Sequence, residues 1–370
     1  MISLLKDASE LKDIFEKAEA GERLTFEDGV RLFHSREFTA IGYLANQVRE
    51  KLHGRRVYYN NYMNLNPTNV CEIACLFCSF AKLPGEEGGY TLSHEEIRDK
   101  VKQAVETNGI REVHIVGGLN DAVPLEYYFD IVSIIKEINR DLFVKAYTAV
   151  EIDYFANRGK MSYRDVLIEL KNRGLDGLPG GGAEIFAERV RKRICIKKMG
   201  SKEWFDVHRT AHELGIRSNC TMLYGHVENE EDRVDHILQL RKLQDETGGF
   251  NSFIPLAYHD DNNPLARYVE GCETDGITDL KVYAISRLLF DNISHIKGYW
   301  TTIGIKLAQV ALSFGVDDIG GTAYSEKIIH DAGAETPVEL SREELVELIK
   351  KNGFQPCEVV SSYDKIFSSQ

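Results

Sequence analysis

Residues 64–80 read NLNPTNVCEIACLFCSF, and this stretch holds three of the seven cysteines in the 370-residue chain. Cys71, Cys75 and Cys78 follow the spacing C-x3-C-x2-C. The stretch comes after a β-rich run at 57–65, and its irregular sequence indicates a loop. A loop can direct three thiolates toward one point, whereas a regular strand or helix would point them apart. The sequence therefore predicts a metal centre immediately after the first strand of the fold.

Three thiolates suit a [4Fe–4S] cluster with one iron left free of protein ligands, an open position like that of a catalytic zinc site. Three other interpretations stay open: inert buried thiols, a zinc site with a fourth ligand, and a redox disulfide between Cys75 and Cys78. A zinc site is disfavoured because no other cysteine has a partner nearby in the sequence. These isolated cysteines are Cys195, Cys220, Cys272 and Cys357. We therefore predict that Cys71, Cys75 and Cys78 are the metal ligands of such a cluster.

Short β-rich runs alternate with amphipathic helical segments through most of the chain. Eight such runs lie at 57–65, 113–116, 143–148, 175–178, 217–223, 252–255, 292–296 and 316–319. Eight strands separated by helices predict an α/β fold, a parallel (β/α)8 barrel of the TIM type, with an open doubly wound sheet as the alternative. Apolar residues at helical spacing over 3–53 predict a helical N-terminal extension. The predicted domains are this extension, at 1–54, and the barrel with C-terminal helices, at 55–370.

The composition, with 43% hydrophobic and 28% charged residues, is that of a globular protein with a large core. Lys and Arg number 45 against 58 Asp and Glu, which gives a net charge of −13. An acidic surface repels nucleic acid and anionic lipid, so neither is an expected partner. The N-terminus lacks the pattern of a signal peptide, and no apolar run has the length of a membrane span. Together with the cysteine pattern, these features predict a cytoplasmic protein.

In a barrel of this kind, the chemistry lies at the carboxyl ends of the strands. Gly117 and Gly118 follow the second predicted strand, and Thr148 and Glu151 follow the third. The fourth is followed by LPGGGAE at 178–184, where three consecutive glycines let the backbone approach a ligand closely. Amides at a helix start can also bind a carboxylate. These strand ends are therefore predicted to bind a cofactor, with turns and solvated loop side chains as the alternative.

The later strand ends carry ionisable and aromatic side chains. The fifth predicted strand ends in MLYGHVENEEDR at 222–233, which contains His226 and Arg233. Arg233 can clamp a carboxylate through two parallel hydrogen bonds. The sixth ends in FIPLAYHDD, which places Tyr258 and His259 at the mouth of the barrel. His226, Tyr258 and His259 are predicted to be catalytic, with a structural loop histidine as the alternative for His226.

Cys71, Cys75, Phe77 and Cys78 form the pattern C-x3-C-x-aromatic-C, which resembles the signature of the radical S-adenosylmethionine (SAM) superfamily. Segments from about residue 55 to 325, among them GGYTLSHEEI, LPGGGAEIFAERVRKRIC and TMLYGHVENEEDRVDHI, are similar to the aminofutalosine synthase family of the futalosine route to menaquinone. The sibling family, cyclic dehypoxanthine futalosine synthase, shares the cluster loop and the GGGAE segment. That sibling family tends to have Met-Phe where this chain has Leu-Tyr before the Gly-His pair.

The resemblance implies a barrel with the cluster loop after the first strand and with SAM consumed as a co-substrate. It implies that a 5′-deoxyadenosyl radical adds to the enol ether of 3-[(1-carboxyvinyl)oxy]benzoate. The products would be 6-amino-6-deoxyfutalosine and methionine, with loss of the carboxyl carbon. The alternatives are a hydrogen-abstracting dehypoxanthine futalosine cyclase and a non-enzymatic metal-cluster protein.

The resemblance also places the Gly-Gly pair where radical SAM enzymes hold the amino group of SAM. The residues predicted to bind the cofactor are Phe77, Gly117, Gly118, Glu151, Gly181, Gly182, Glu184 and Arg233. Arg233, Lys145 and His259 are the predicted ligands of the substrate carboxylates. The expected partners are this small dicarboxylate substrate and a reductant such as flavodoxin or ferredoxin, and a homodimer is a compatible assembly.

Overall fold

The computed structural model describes residues 9–268 and 274–367. Helices precede the first strand, and their bounds are Lys12–Ala20 for α1, Phe26–His34 for α2 and Phe38–His53 for α3. Helix α2 begins with a capping box, in which Thr25 and Asp28 accept hydrogen bonds from each other's backbone amides. Residues 3–8 of the predicted helical extension lie outside the described residues.

The strands that follow form the predicted α/β barrel. They are Arg56–Asn60 (β1), Tyr62–Leu65 (β2), Glu112–Ile115 (β3), Phe143–Lys145 (β4), Gly177–Leu178 (β5), Arg217–Tyr224 (β6), Phe250–Ala257 (β7), His295–Ile296 (β8) and Asp318–Gly321 (β9). Strands β2 to β8 form one parallel sheet in chain order. Parallel neighbours need long crossover connections, which the intervening helices provide.

The helices after the extension are His94–Asn108 (α4), Leu125–Ile138 (α5), Ala149–Gly159 (α6), Tyr163–Arg173 (α7), Glu188–Ile194 (α8), Ser201–Glu213 (α9), Glu230–Thr247 (α10), Gly276–Leu289 (α11), Trp300–Ile303 (α12), Ile305–Ala311 (α13), Ile328–Asp331 (α14) and Arg342–Lys351 (α15). A 3-10 turn spans Pro264–Arg267. None of the described helices combines the length and apolar character that crossing a bilayer requires.

The barrel closes between β8, β9 and the first strand. Lys297 and Asp318 form a parallel bridge, and the Gly298 N–H donates to the Asp318 carbonyl at 2.7 Å. Strand β9 then pairs with β1, and Met63 in β2 bridges Tyr324. The described chain therefore forms a closed ring of eight wall positions, in which β1 and β2 together make one wall strand.

That wall strand is predicted as one run over 57–65, but it is interrupted at Asn61. The Asn61 side chain donates to the carbonyls of Asn108 and Gly109, and its own carbonyl accepts from the Arg111 N–H. Below the break, β1 pairs with a strand absent from the sequence prediction, β10 at Gln355–Val359, which pairs in turn with β11 at Ile366–Phe367. Pairing partners some 300 residues away are not visible in the local pattern of 57–65.

The C-terminal segment after β10 also crosses the end of the barrel opposite the cysteine loop. Ser361 Oγ donates to Glu112 Oε1 at 2.8 Å, and Tyr363 OH donates to Asp318 Oδ2 at 2.6 Å. The Tyr363 ring stacks on the His295 ring with centroids 3.7 Å apart. The C-terminal residues thus form two strands, and a segment between them that covers this end of the barrel, in addition to the predicted helices.

The N-terminal helices pack against helices of the barrel's outer layer. Lys281 in α11 donates to the carbonyls of Phe33 and Ser35 at 2.7 and 2.6 Å. Arg241 in α10 donates to the Leu24 carbonyl at 3.0 Å. Each bond satisfies a carbonyl near the end of a short helix or in a connection, where no intrahelical donor is available. The domain boundary at 54/55 stays a prediction.

His236 in α10 ties this helix to the barrel wall. It is fully buried, its Nδ1 accepts from the Phe186 N–H at 3.3 Å, and its Nε2 lies 2.9 Å from the Thr221 carbonyl. The ring stacks on Phe186 with centroids 4.1 Å apart. Because one nitrogen accepts and the other donates, the neutral ring fits this position and the protonated ring does not. Burial accordingly lowers the pKa of His236 from 6.5 to about 3.

This histidine makes stability depend on pH. Its folded-state pKa lies below its unfolded value, so the unfolded chain binds more protons between pH 6.5 and 3, and the contribution of His236 is lost as the pH falls through that window. Between pH 7.5 and 5.5, the wild type should lose about 1 kcal/mol more unfolding free energy than His236→Gln. Urea unfolding at both pH values measures this difference. Equal losses in the two proteins would contradict the assignment.

Candidate active site

A cavity of about 300 Å³ lies inside the barrel, and it is lined by residues in or directly after strands β1 to β8, by residues of 326–329 after β9, and by the cysteine loop. Side chains of alternate residues face it, as expected for strands. In β2, Tyr62 and Asn64 line the cavity, whereas Met63 and Leu65 do not. A cavity of this size lies in the range of small-molecule sites.

The cysteine loop, residues 66–82, is irregular but is held by backbone hydrogen bonds. The Cys71 N–H donates to the Lys82 carbonyl at 2.8 Å within the loop. The loop also donates to other elements, from the Glu72 N–H to Leu119 O at 3.0 Å and from the Leu76 N–H to Ile194 O at 3.0 Å. These bonds fix a segment that has no regular secondary structure of its own.

All three predicted ligand cysteines line the same cavity and are half-buried. Burial raises the pKa of the Cys75 thiol and raises that of Cys78 to about 12. Thiolates in such a position need a positive partner or a metal. The donor set therefore fits a metal cluster held by three sulfurs. Of the isolated cysteines, Cys272 lies outside the described residues.

Gly117 and Gly118 lie beside the cysteine loop. Gly117 lines the cavity, and its N–H donates to Glu151 Oε1 at 3.1 Å. Gly118 lies behind the lining, where a Cβ atom would collide with the Val70 backbone carbonyl. Its N–H donates to the Thr68 carbonyl at 2.7 Å. Gly118 thus lets the strand end approach the loop backbone, whereas Gly117 borders the space in which a ligand would bind.

Glu151 lines the cavity from the first turn of α6. Its Oε2 accepts from the Thr148 N–H at 2.7 Å and from Thr148 Oγ1 at 2.8 Å. Thr148 in return caps the helix, so the pair forms a capping box. Burial raises the pKa of Glu151 to about 7, and the three hydrogen bonds from Thr148 and Gly117 oppose that rise. The carboxylate is therefore positioned by the helix start.

The glycine segment 180–182 forms another side of the cavity. A Cβ on Gly180 would lie 2.6 Å from the Cys220 Cα and 2.8 Å from the Asn219 carbonyl oxygen. Gly182 has φ +92°, a conformation that residues with a side chain rarely adopt. The glycines therefore allow backbone to lie against backbone, and both Gly181 and Gly182 line the cavity.

Lys198 is a site residue that the sequence analysis missed. It lines the cavity and binds Glu184 Oε1 at 2.5 Å, and its ammonium lies 5.1 Å from the centroid of the Phe77 ring. Burial alone would lower the pKa of Lys198, but the nearby Cys75 and Glu184 raise it. Lys198 follows a basic run in RVRKRICIKKMG, so nothing in the local sequence distinguishes it from surface lysines. It places a positive charge beside the cysteine loop.

In addition to Gly118, four residues predicted for the site are absent from the cavity lining, and all are described by the structure. Arg233 donates to the Glu228 carboxylate at 2.8 Å, and His226 lies 3.0 Å from that carboxylate and 3.0 Å from the Leu223 carbonyl. Tyr258 donates to Asn263 Oδ1 at 2.7 Å. His259 Nε2 lies 2.8 Å from the Thr302 carbonyl. These side chains brace the strand-end loops, and their roles in binding or catalysis stay predictions.

Sequence comparison matches most of the chain to known families. Residues 65–240 match the radical SAM superfamily, and residues 247–367 match the CofH/MqnC C-terminal region. An aminodeoxyfutalosine synthase of Thermus thermophilus is 46% identical over 354 residues, which cover 95% of each chain. This chain belongs to the aminodeoxyfutalosine synthase family of radical SAM enzymes. A Streptomyces coelicolor member of the family is 42% identical over 97% of this chain and 94% of its own.

A related branch carries a different name. A 5-amino-6-(D-ribitylamino)uracil–L-tyrosine 4-hydroxyphenyl transferase of Methanopyrus kandleri is 39% identical over 87% of this chain and 88% of its own. Among solved structures, methylornithine synthase (PylB) superposes with a TM-score of 0.74 at 16% identity, covering 94% of this chain and 98% of its own. The hydrogenase maturase HydG of Carboxydothermus hydrogenoformans gives the same TM-score at 18% identity, covering 98% and 83%. At such low identity, these structures support the fold alone.

The close approach at Gly180 makes a stability prediction. Gly180→Ala should lower the free energy of unfolding by about 1–3 kcal/mol, because the new methyl group meets rigid backbone rather than a movable side chain. Gly276→Ala is the matched control, since its Cβ would meet only Leu307 at ordinary contact distance. Urea unfolding of both variants measures the difference. Equal stability of the two variants would show that the backbone between β5 and β6 can move enough to accommodate the methyl group, which would contradict the close contact in the structure.

Proposed function

We propose that this protein is an aminodeoxyfutalosine synthase that uses a [4Fe–4S] cluster and SAM. The observation that carries the proposal is the cavity itself: the three cysteines line one part of it, and the buried ammonium groups of Lys145 and Lys297 line another. One cavity thus offers both a cluster site and a site for a small anion. The 46% identity to a named synthase over nearly the full chain supports this activity over other radical SAM reactions.

When bound, the cluster supplies the electron that cleaves SAM to methionine and a 5′-deoxyadenosyl radical, which adds to the enol ether of 3-[(1-carboxyvinyl)oxy]benzoate. Cys71, Cys75 and Cys78 would hold the cluster. The backbone of Gly117 and of the glycine segment 180–182 would border the SAM molecule. Rearrangement then gives 6-amino-6-deoxyfutalosine, and the carboxyl carbon leaves as CO2 together with one electron, so that the electron spent on cleaving SAM is recovered.

The charged groups near the cysteines suit the polar end of SAM. The Lys198 ammonium can bind a carboxylate, and the carboxylates of Glu151 and Glu184 can accept hydrogen bonds from an amino group or a ribose. Each of these side chains is held by a partner in the protein, Lys198 by Glu184 and Glu151 by Thr148. Held side chains lose little conformational freedom when a ligand binds, which favours accurate positioning.

The walls of the cavity exclude water from the reacting carbon atoms. Apolar side chains that line it include Ile73, Val150, Ile254 and Leu256. A radical that can take hydrogen from a neighbour is best kept in such a dry and closely fitted space. As further parts of the proposal, a reductant of the flavodoxin or ferredoxin kind supplies the electron, and the enzyme is cytoplasmic, where thiols stay reduced.

Product analysis with the reconstituted enzyme tests the function. Anaerobic incubation with SAM, reductant and 3-[(1-carboxyvinyl)oxy]benzoate should give 6-amino-6-deoxyfutalosine by mass spectrometry, with methionine formed in equal amount. A parallel incubation with tyrosine and 5-amino-6-(D-ribitylamino)uracil should give no coupled product. Coupling of these two compounds, or 5′-deoxyadenosine as the main product from the enol ether, would contradict the proposal.

The role of the cysteines has a test of its own. Cys75→Ser should abolish product formation and reduce the bound iron well below about four per chain, because two thiolates do not retain the cluster. Cys357→Ser, which changes a cysteine of β10 away from the cavity, is the matched control and should retain both. Iron analysis and visible absorption measure the outcome. Full iron content in Cys75→Ser would remove this residue from the ligand set.

A further inference from the structure

Strand register aligns three polar residues across the barrel wall. Asn64 in β2 pairs directly with His114 in β3, and His114 pairs directly with Lys145 in β4. Residues paired in register point to the same face of a sheet. All three line the cavity. The sheet therefore places an amide, an imidazole and an ammonium in one row on the inner surface of the barrel.

Two members of this row have unsatisfied buried nitrogen atoms. Asn64 is only 9% exposed, and its Nδ2 has no hydrogen-bond partner within the described chain. The Nε2 of His114 is likewise buried and has no partner there. A buried polar group without a partner costs stability, so a pair of them side by side in a cavity wall calls for an acceptor from outside the protein. A ligand in the cavity can supply that acceptor.

Two lysines lie in or beside the row, and each is paired with a buried carboxylate. Lys145 binds Glu112 at 2.7 Å, and Lys297 binds Asp318 at 3.2 Å, so both ammonium groups are held in place at the cavity surface. Burial lowers the pKa of His114 well below its ordinary value, and the charges of Lys145 and Lys297 lower it further. The imidazole is therefore neutral, and in the tautomer with its proton on Nε2 it has one N–H to donate. The Asn64 amide and this N–H can together bind an anion beside the two paired lysines.

Asn64, His114, Lys145 and Lys297 form a surface that we call the basic wall. It is distinct from the charged groups beside the cysteines. Lys198 interacts with Cys75 and Glu184, whereas Lys145 interacts with Glu112, Lys297 and Asp318. The cavity thus has a cation by the cysteine loop and a separate pair of cations in the wall. The enol-ether substrate also has two anionic ends: a carboxylate on the reacting vinyl group and a carboxylate on the benzene ring.

We propose that Asn64 and His114 bind the ring carboxylate of the aryl enol ether, within the field of Lys145 and Lys297. This inference rests on the proposed function. The vinyl carbon must lie next to the adenosyl C5′, which places the vinyl carboxylate toward the cysteine loop. The ring carboxylate then points away from the loop and meets the basic wall. Asn64 and His114 are in this way specificity residues, which select a ring with an anionic substituent and fix the vinyl group at its reacting position.

The test combines protein variants with a substrate analogue. Asn64→Leu and His114→Leu should each lower kcat/KM for 3-[(1-carboxyvinyl)oxy]benzoate by about 10- to 100-fold, the effect expected for a hydrogen bond to a charged group. The analogue without the ring carboxylate, (1-carboxyvinyl)oxybenzene, should be a poor substrate of the wild type. Both variants should use it within about threefold of the wild-type rate, because the group that they fail to bind is absent.

Binding measurements and a conservative variant complete the test. His114→Gln keeps an N–H donor near the position of Nε2 and should retain most of the affinity for the substrate, as measured by calorimetry with the cluster-loaded enzyme. Asn251→Ala is the matched control: Asn251 is a buried asparagine of β7 whose Oδ1 also has no partner among the described residues, but it does not line the cavity. It should leave the kinetics with both compounds unchanged.

The outcomes separate this inference from the proposed function. If the wild type makes the adduct but the leucine variants lose activity equally on both compounds, the two residues are structural and the inference is wrong. Unchanged kinetics in the variants would overturn it as well. If the wild type makes no adduct from either compound, the proposed function fails. Circular dichroism and iron content of each variant show whether it is folded and loaded.

Discussion

The site depends on the way an irregular loop is held in one conformation. Residues 66–82 have little regular secondary structure, so backbone bonds from the rest of the barrel must fix the directions of the three thiols. The loop donates to Leu119 and Ile194, and Gly118 lies so close to the Val70 carbonyl that no side chain fits between them. The strand ends thus hold the cysteine loop, and the loop in turn forms one side of the cavity.

The same barrel wall links the cysteine loop to the basic wall. The break at Asn61 divides the first wall strand between two partners: β1 pairs with β9 and β10, and β2 pairs with β3. The C-terminal segment that follows β10 supports Glu112 through Ser361, and Glu112 holds Lys145. The position of a cation in the cavity therefore depends on residues near the end of the chain.

The parts that the sequence could predict are local. Ligand spacing in C-x3-C-x2-C is local, and so are the glycine runs and the alternation of strands with helices. Lys198 could not be singled out, because the fold brings it beside Cys75 through a turn after α8. His226 was expected in the cavity because it follows a strand end. A strand end fixes where a residue lies but not where its side chain points. The His226 side chain forms a hydrogen bond with the nearby Leu223 carbonyl.

In the proposed enzyme, three thiolates hold a four-iron cluster whose remaining iron is left for SAM. Mössbauer spectroscopy of the 57Fe-loaded protein, recorded with and without SAM, tests this arrangement most directly. The spectrum should show four irons per chain, of which one changes its isomer shift and quadrupole splitting when SAM is added. If the parameters of all four irons stay the same when SAM is added, or if the spectrum shows a protein ligand on every iron, no iron is left for SAM and the proposed arrangement is wrong.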